Sequence, residues 1–478
     1  MFPIYLKTAW RNITRPKGYY SLINSLGKER TWCILGDRTE SNVDKVHFAR
    51  VLYPVATVGR HELSPVRVTG WIMGWLLINS SNRLLFLQFL QRKFVNIDFK
   101  IQIMFSKIIL SMLLLLVLGY RLHAQIQTVS GRVIPIAAMD KFLHQQMDSL
   151  AMPGLSIAII NHGKIVYHRA IGIANVDSGE PITDSSIFEA ASLSKPVFAY
   201  LVMKMVDQHL LNLDTPLYKY MPYPDIEKDE RYKLITARIA LTHQTGFPNW
   251  RYFDMADSSM HVKYGDLYMK FTPGTKFYYS GEGFLYLAKV IAYLKGLTLQ
   301  TLETLYEAEV ARPLGMNHAW FTGNAYINKY KASGHVNGKP YFYNGTPWPI
   351  SFPNWDSSYF NPAASLHTEA VGYAHFVIGL MKHKGLSSGS YREMMSPQIM
   401  LPKDNTNVTE NGDTAWGLGI AIAQTKYGTR YEHGGNNNNF QSAFLFYKQQ
   451  QNGYVFLTNC DKGSIFNKRL REFLTEGK

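Results

Sequence analysis

The sequence has little that would support several common protein classes. Only two of its 478 residues are cysteine, Cys33 and Cys460, so no disulfide framework, zinc-ligand spacing or CxxC redox motif is available. Cys460 ends the apolar run Tyr454–Cys460, which reads as a buried strand holding an inert thiol. Charged residues make up 18% of the chain and hydrophobic ones 46%, an ordinary globular balance. A transport permease needs several apolar spans of about 20 residues, and the chain has none. There are no internal repeats, and the one low-complexity run is Asn436–Asn439.

The formal charge of +15 is unevenly placed. Residues 1–125 carry 17 Lys and Arg against 6 Asp and Glu, or +11. The remainder carries 33 against 29, or +4. The basic excess therefore belongs to the front of the chain, and the nearly neutral body gives no sign of a nucleic-acid partner.

Within that front, residues 104–125 read as a secretory signal. Met104 opens it, Lys107 is the positive region, Ile108 to Tyr120 is the apolar region, and Leu122-His123-Ala124 precedes a cleavage point at Gln125. A signal belongs at a chain start, yet 103 residues precede this one. Tyr5 to Gly27 resembles the cytoplasmic N-terminus of bacterial ABC-transporter permeases, but the apolar span that should follow is missing. The expectation is that 1–103 is an upstream fusion or a mis-called start. The mature protein would then be periplasmic or secreted, touching a membrane only through its export signal.

The body reads as one α+β domain over 126–478. Ile136–Leu150 has helical spacing; Leu155–Ile160 and Lys164–Ala170 form a hairpin about Asn161-His162-Gly163. A helix runs from Ser194 to about Leu211. Four short strands follow much later, at Gly417–Ala423, Tyr431–His433, Ser442–Tyr447 and Tyr454–Thr458, and a helix closes over Phe466–Phe473. Strands at both ends with a helical, loop-rich middle imply an antiparallel sheet flanked by terminal helices and interrupted by an insertion at about 212–410.

Three short motifs carry the chemistry. Ser192-Leu-Ser-Lys195 places a hydroxyl and an amine a helical turn apart on one face, with Ser192 at the positive end of the helix dipole. A neutral, desolvated lysine there takes the serine proton. A chain this long shows Ser-x-x-Lys by chance roughly once or twice, so the motif needs company. Tyr279-Ser280-Gly281 supplies a second proton carrier. His433-Gly434-Gly435 ends a strand, where paired glycines let a substrate approach backbone N–H groups.

This order of elements resembles that of serine β-lactamases and penicillin-binding proteins. The flanking text is similar to the branch of class C β-lactamases, D,D-peptidases and related esterases. It includes Pro153-Gly154, Phe188–Lys195, Leu241-Thr-His-Gln-Thr-Gly246, Pro273-Gly274, Asn361–Leu366 and Trp416-Gly-Leu-Gly419. The resemblance spans about 135 to 475 and implies a β-lactamase/transpeptidase-like fold. It implies that Ser192 is acylated, that Lys195 and Tyr279 share the proton work, and that the N–H groups of Ser192 and Asn436 form the oxyanion hole. Water would then hydrolyse the acyl-enzyme with Tyr279 as base. No metal or organic cofactor is required. The substrate would be a small ester, amide or peptide; the oligomeric state is open.

Two departures stand out. Gly281 occupies the motif position where the family carries Asn, with Glu282 or Asn249 as unranked substitutes. His433 and Gly434 replace the Lys and hydroxyl residue that help hold a substrate carboxylate. Histidine, with a reference pKa near 6.5, is mostly neutral at pH 7. The expectation is esterase- or peptidase-like activity with weak β-lactam turnover at most. The alternative is a non-catalytic penicillin-binding-like module recognising peptidoglycan or peptide. Trp250, Tyr252, Trp348 and Trp355 are candidates for an aromatic acyl-pocket wall or for core packing.

Overall fold

The computed structural model describes residues 125–254, 262–341 and 358–476, with short pieces before residue 112. The chain divides into two compact units, Met1–Ser111 and Met112–Lys478. In the first, Tyr20–Leu22 and Trp32–Ile34 pair antiparallel. Most of the permease-like and signal-like segments, and Trp348 and Trp355, lie outside the described residues.

In the second unit a short antiparallel pair, Ile126–Gln127 with Val133–Ile134, precedes helix α1 (Ile136–Leu150), then come strands β1 (Gly154–Asn161), β2 (Lys164–Asn175), β3 (Glu180–Pro181) and β4 (Phe188–Ala191). Helices α2 (Ser194–Asp207) and α3 (Gly281–Leu294) follow, then β5 (Ala319–Trp320), β6 (Leu366–Thr368) and α4 (Ala370–Met381). The chain returns through β7 (Ile399–Met400), β8 (Ala415–Trp416), β9 (Ala421–Thr425), β10 (Gly428–Asn436), β11 (Gln441–Tyr447) and β12 (Asn452–Thr458), and ends on α5 (Gly463–Glu476). The main sheet is antiparallel, in the order β7-β8-β9-β10-β11-β12-β1-β2-β3. This is the α+β architecture that the pattern of elements implies, with the early strand β1 paired to the late strand β12.

Both faces of the central strands are covered. Side chains alternate across a strand, so each face collects every second residue. Leu155, Ile157, Ile159, Leu445 and Phe456 join Met139, Leu143, Phe466 and Leu470 under the terminal helices. Phe142 and Phe473 stack at 4.2 Å and tie α1 to α5. Ala158, Ile160, Phe444, Phe446, Val455 and Leu457 face the other way, into a larger core shared with α2, α3 and α4. Each fully buried side chain of this kind contributes about 1.5–3 kcal/mol. Cys460 is fully buried and free, and pairs with the Thr458 hydroxyl at 3.3 Å.

One strand differs from expectation. Gly417–Ala423 is not continuous: Trp416 ends β8 and Ala421 begins β9, with a tight turn between. Gly419 adopts φ +77°, a left-handed conformation, and a Cβ there would lie 2.6 Å from Ala199 Cβ on α2. The turn is thus pressed against the helix that carries the Ser-Lys pair.

Candidate active site

Ser192 sits in the turn between β4 and α2, just before the helix begins. The turn is strained and pinned. Ala191 has φ +49°, which costs a non-glycine residue about 1–2 kcal/mol. The Ser194 hydroxyl donates to Ala191 O at 2.6 Å and accepts the Leu366 N–H of β6 at 2.9 Å. Tyr373 Oη donates to Leu193 O, and Ser442 Oγ to Ala190 O. Helix, sheet and insertion therefore all hold this one bend.

Lys195 is 1% exposed. Its Nζ donates to Ser192 Oγ at 3.2 Å and to Ala363 O at 2.9 Å. Its other neighbours are aromatic: the ring centroids of Tyr279, Phe284 and Trp250 lie 4.5, 5.8 and 5.9 Å away. Burial alone pushes its pKa well below the usual lysine value, favouring the neutral amine. Burial also raises the Tyr279 phenol, while a hydrogen bond with Ser192 draws it partly back.

His433 lies near the end of β10, 4% exposed, with its ring 5.4 Å from Trp416 and 6.2 Å from Tyr279. Its Nδ1–H donates to Gly434 O at 2.7 Å. Burial, and then Lys195, push its pKa down to about 3. The imidazole is therefore neutral across the working pH range.

The two glycines behind it differ. A Cβ on Gly434 would meet nothing within 4 Å. A Cβ on Gly435 would collide with Ser442 Oγ and Ala190 O, so only glycine lets β10 pass β4 this closely. Asn436 is exposed beyond this contact. A cleft of about 1130 Å³ gathers Ser192, Tyr279, His433, Gly434, Gly435 and Asn436, together with Asn249, Phe277 and Trp416. The structure thus assembles six of the expected residues around one cavity; Lys195 lies buried behind Ser192, and Gly281 is also set apart. Gly281 is buried at the start of α3 and does not line the cleft. Trp250 covers it: a Cβ on Gly281 would lie 2.6 and 2.7 Å from Cζ2 and Cζ3 of that indole, and closer still to Cη2. Gly281, which stands at the motif position of the family's Asn, is thus packed under an indole and set back from the cleft.

Several contributors lie beyond the three motifs. His243 accepts the Ser280 N–H at Nδ1 (3.0 Å), and its ring packs 4.2 Å from that of Tyr279. Burial, then Lys195 and His433, hold it well below the ordinary histidine pKa. Glu189, three residues before Ser192, accepts from Lys331 Nζ at 2.6 Å and from Asn437 Nδ2 at 2.7 Å. Burial pushes Glu189 up, but Lys331 and His367 outweigh it and hold the carboxyl at about 2. Glu189 thereby ties β4, which leads into Ser192, to the asparagine loop after His433. The flanking runs Leu241–Gly246 and Phe188–Lys195 contain His243 and Glu189, but nothing in their spacing assigns these roles. Of the four aromatic candidates, Trp250 abuts the site, and Tyr252 lies 5.7 Å from Tyr264.

Fold and cleft together define a protein of the β-lactamase/transpeptidase-like architecture. The family model described as "Beta-lactamase" matches residues 139–475, well over half of the sequence, and the chain belongs to that family. Residues 5–27 fall outside the match, so nothing beyond their own text supports the permease resemblance. Among curated relatives, "Esterase EstB" of Burkholderia gladioli is 28% identical over 206 residues, covering 39% of this chain and 51% of that protein. "Protein flp" of Staphylococcus aureus is 22% identical over 337 residues, covering 68% and 63%. The chain thus spans about half to just under two thirds of these relatives. Among solved structures, the octameric penicillin-binding protein homologue from Pyrococcus abyssi aligns with TM-score 0.55 at 21% identity, over 68% of this chain and 74% of that one. D-alanine carboxypeptidase AmpC from Burkholderia cenocepacia aligns with TM-score 0.53 at 19% identity, over 69% and 96%. At these identities the structures show the fold. No helix among the described residues is long and apolar enough to cross a membrane.

Proposed function

We propose that the chain is a serine hydrolase that acts on an ester or amide through an acyl-enzyme on Ser192. The observation that carries this reading is the 3.2 Å contact between Ser192 Oγ and the Nζ of a buried lysine with no carboxylate partner among the described residues. A lysine held neutral is a base, and a base in contact is what a serine hydroxyl needs.

In this reading Lys195 Nζ takes the Ser192 proton as Oγ attacks the substrate carbonyl carbon. The N–H groups of Ser192 and Asn436 receive the oxyanion. The C–O or C–N bond breaks, and the leaving group takes the proton. Water then attacks the acyl carbonyl and gives a proton to Lys195 Nζ; the bond from Ser192 Oγ to the acyl carbon breaks, Oγ takes that proton back from Nζ, and the acid product leaves. The raised pKa of Tyr279 favours a neutral phenol, which suits a proton relay between Ser192 and Lys195 better than a resting phenolate base. Neutral His433 and side-chain-free Gly434 give no fixed positive charge for a carboxylate, which supports ester or plain amide substrates over β-lactams. The esterase among the relatives is in keeping with this. We also propose export to the periplasm or the medium, on the signal-like text of residues 104–125; a mature N-terminus well before Met104 overturns it.

The non-catalytic alternative has no use for a buried lysine that burial destabilises. A fluorophosphonate probe separates the two readings. Covalent labelling of the wild type that disappears in Ser192→Ala is the expected result; an unlabelled wild type overturns the hydrolase reading. Initial rates on a short-chain p-nitrophenyl ester are expected to exceed those on a chromogenic cephalosporin, and the reverse order overturns the substrate preference.

A further inference from the structure

The wall of the cleft beside Tyr279 is built by a segment remote from all three motifs. Gly281 N–H donates to both Asn249 O and Asn249 Oδ1, each at 3.0 Å, and Glu282 N–H also donates to Asn249 O. From the other side, the fully buried Glu282 accepts from Arg251 at the backbone N, Nε and Nη2, at 3.1, 3.0 and 2.8 Å. Arg251 is fixed further by Asp225 at 2.8 Å and by the Tyr223 hydroxyl at 3.1 Å. Residues 249 and 251 are thus strapped to residues 281 and 282, and Trp250 between them is pressed over Gly281.

This strap decides between Glu282 and Asn249. Both Glu282 oxygens are engaged by Arg251, so its carboxylate is a structural anchor. Asn249 is different. Only the oxygen end of its amide can accept from Gly281 N–H, so the orientation of the amide is fixed. Asn249 lines the same cleft wall as Ser192 and Tyr279, and its Nδ2 has no protein partner among the described residues. A donor N–H fixed in orientation, on a cleft that Ser192, Phe277, Tyr279 and Trp416 also line, offers a partner to an acceptor on the ligand.

We propose that the strap is the specificity element of this site: Trp250 fills the space above Gly281, and Asn249 Nδ2 donates to an acceptor oxygen on the acyl part of the substrate. The inference rests on the serine-hydrolase reading and narrows it. The favoured acyl group is peptide-like, with an amide oxygen a few bonds from the scissile carbonyl, rather than a plain hydrocarbon chain. Asn249 and Trp250 act on choice of acyl group, while Ser192 and Lys195 act on every substrate.

The test uses the full chain and two m-nitrophenyl esters of equal acyl length, N-acetylglycyl and pentanoyl, after subtraction of spontaneous hydrolysis. The wild type is expected to prefer the acetylglycyl ester. Asn249→Asp keeps the acceptor for Gly281 N–H and removes the donor; Asn249→Ala removes both. Each is expected to lose at least tenfold in kcat/KM on the acetylglycyl ester and under threefold on the pentanoyl ester. Adding Trp250→Ala and Gly281→Asn to Asn249→Ala places an amide on α3 in the space the indole vacates, and is expected to restore part of the preference. Equal losses on both esters, or a preference unchanged in Asn249→Asp, overturn the assignment. Fluorophosphonate labelling of Ser192 keeps the two questions apart. An unlabelled wild type overturns the hydrolase reading, whereas a labelled enzyme whose preference survives Asn249→Asp overturns only the role of Asn249.

Discussion

Two neighbours on β10 face opposite worlds. Glu432 joins the side under the terminal helices, where Arg430 lies 3.0 Å from Asp413 and 3.1 Å from Glu432, and Arg471 of α5 reaches Glu432 at 3.5 Å. His433, the next residue, faces Tyr279 and Trp416, with Lys195 beyond and no carboxylate in contact among the described residues. Both places are buried and both hold titratable groups. In the first, Arg430 and Arg471 face the carboxyls of Asp413 and Glu432, which burial nonetheless pushes up; in the second, the basic groups shed their charge because burial is met by no carboxylate among the described residues. The same strand therefore carries an anchor on one face and a chemical site on the other. Pairing is what separates them.

Substitutions test that contrast, and the largest effect should fall on the unpaired side. Ser192→Ala is expected to lower ester hydrolysis by at least a thousandfold, read as kcat/KM, with an unchanged unfolding midpoint. Lys195→Met should be nearly as inactive yet more heat-stable than the wild type, by a few degrees in Tm, because it removes a desolvated amine and keeps its volume. A fall in Tm would mean that Lys195 is retained for packing. On the paired side, Arg430→Met strands two buried carboxyls and should cost about 3–5 kcal/mol in denaturant unfolding.

Smaller effects concern pH and the carboxylate end of the cleft. Glu432 is pushed up to about 8 by burial and then by Asp413. Between the ordinary glutamate range and that value the folded state holds a proton that the unfolded chain has released. Stability is therefore lost as pH rises through this window, and Glu432→Gln should flatten the decline in the denaturation midpoint between pH 5 and 8. Lys195 works in the opposite sense on rate: activity rises as the amine loses its proton, and the lowered pKa moves that limb well below pH 10. A kcat/KM profile that climbs only above pH 10 would contradict a neutral resting lysine. Last, the double variant His433→Lys, Gly434→Ser is expected to raise cephalosporin turnover modestly, about tenfold, since a side chain at 434 meets open space.

Much of this could be read along the chain because the signals are local. Helical spacing placed Met139 and Leu143 under one face of the sheet, and the i, i+3 relation placed Lys195 against Ser192. The β1–β2 hairpin and the closing helix were equally legible. What could not be read was any contact set by packing between distant segments. Trp250 and Gly281 are 31 positions apart with no periodicity to join them, and the glycine looked like a deletion of function until the indole was seen in its place. Gly417–Ala423 has the apolar content of a strand, but the left-handed Gly419 against α2 divides it. Glu189 gave no sequence signal of its own, because its partners Lys331 and Asn437 arrive from the insertion and from the far end of the sheet.

The close passage of β10 over β4 at Gly435 has a mechanical meaning. Ser192 follows β4 one residue beyond Ala191, and Asn436 ends β10 one residue beyond Gly435, so the spacing of Ser192 from Asn436 is set where β10 passes over the Ala190 carbonyl. The one side chain beside this passage, Ser442, is itself held by its hydrogen bond to Ala190 O. In a library randomised at both glycines, position 434 should accept many side chains and position 435 only hydrogen: one atom serves as the feeler gauge for the whole site.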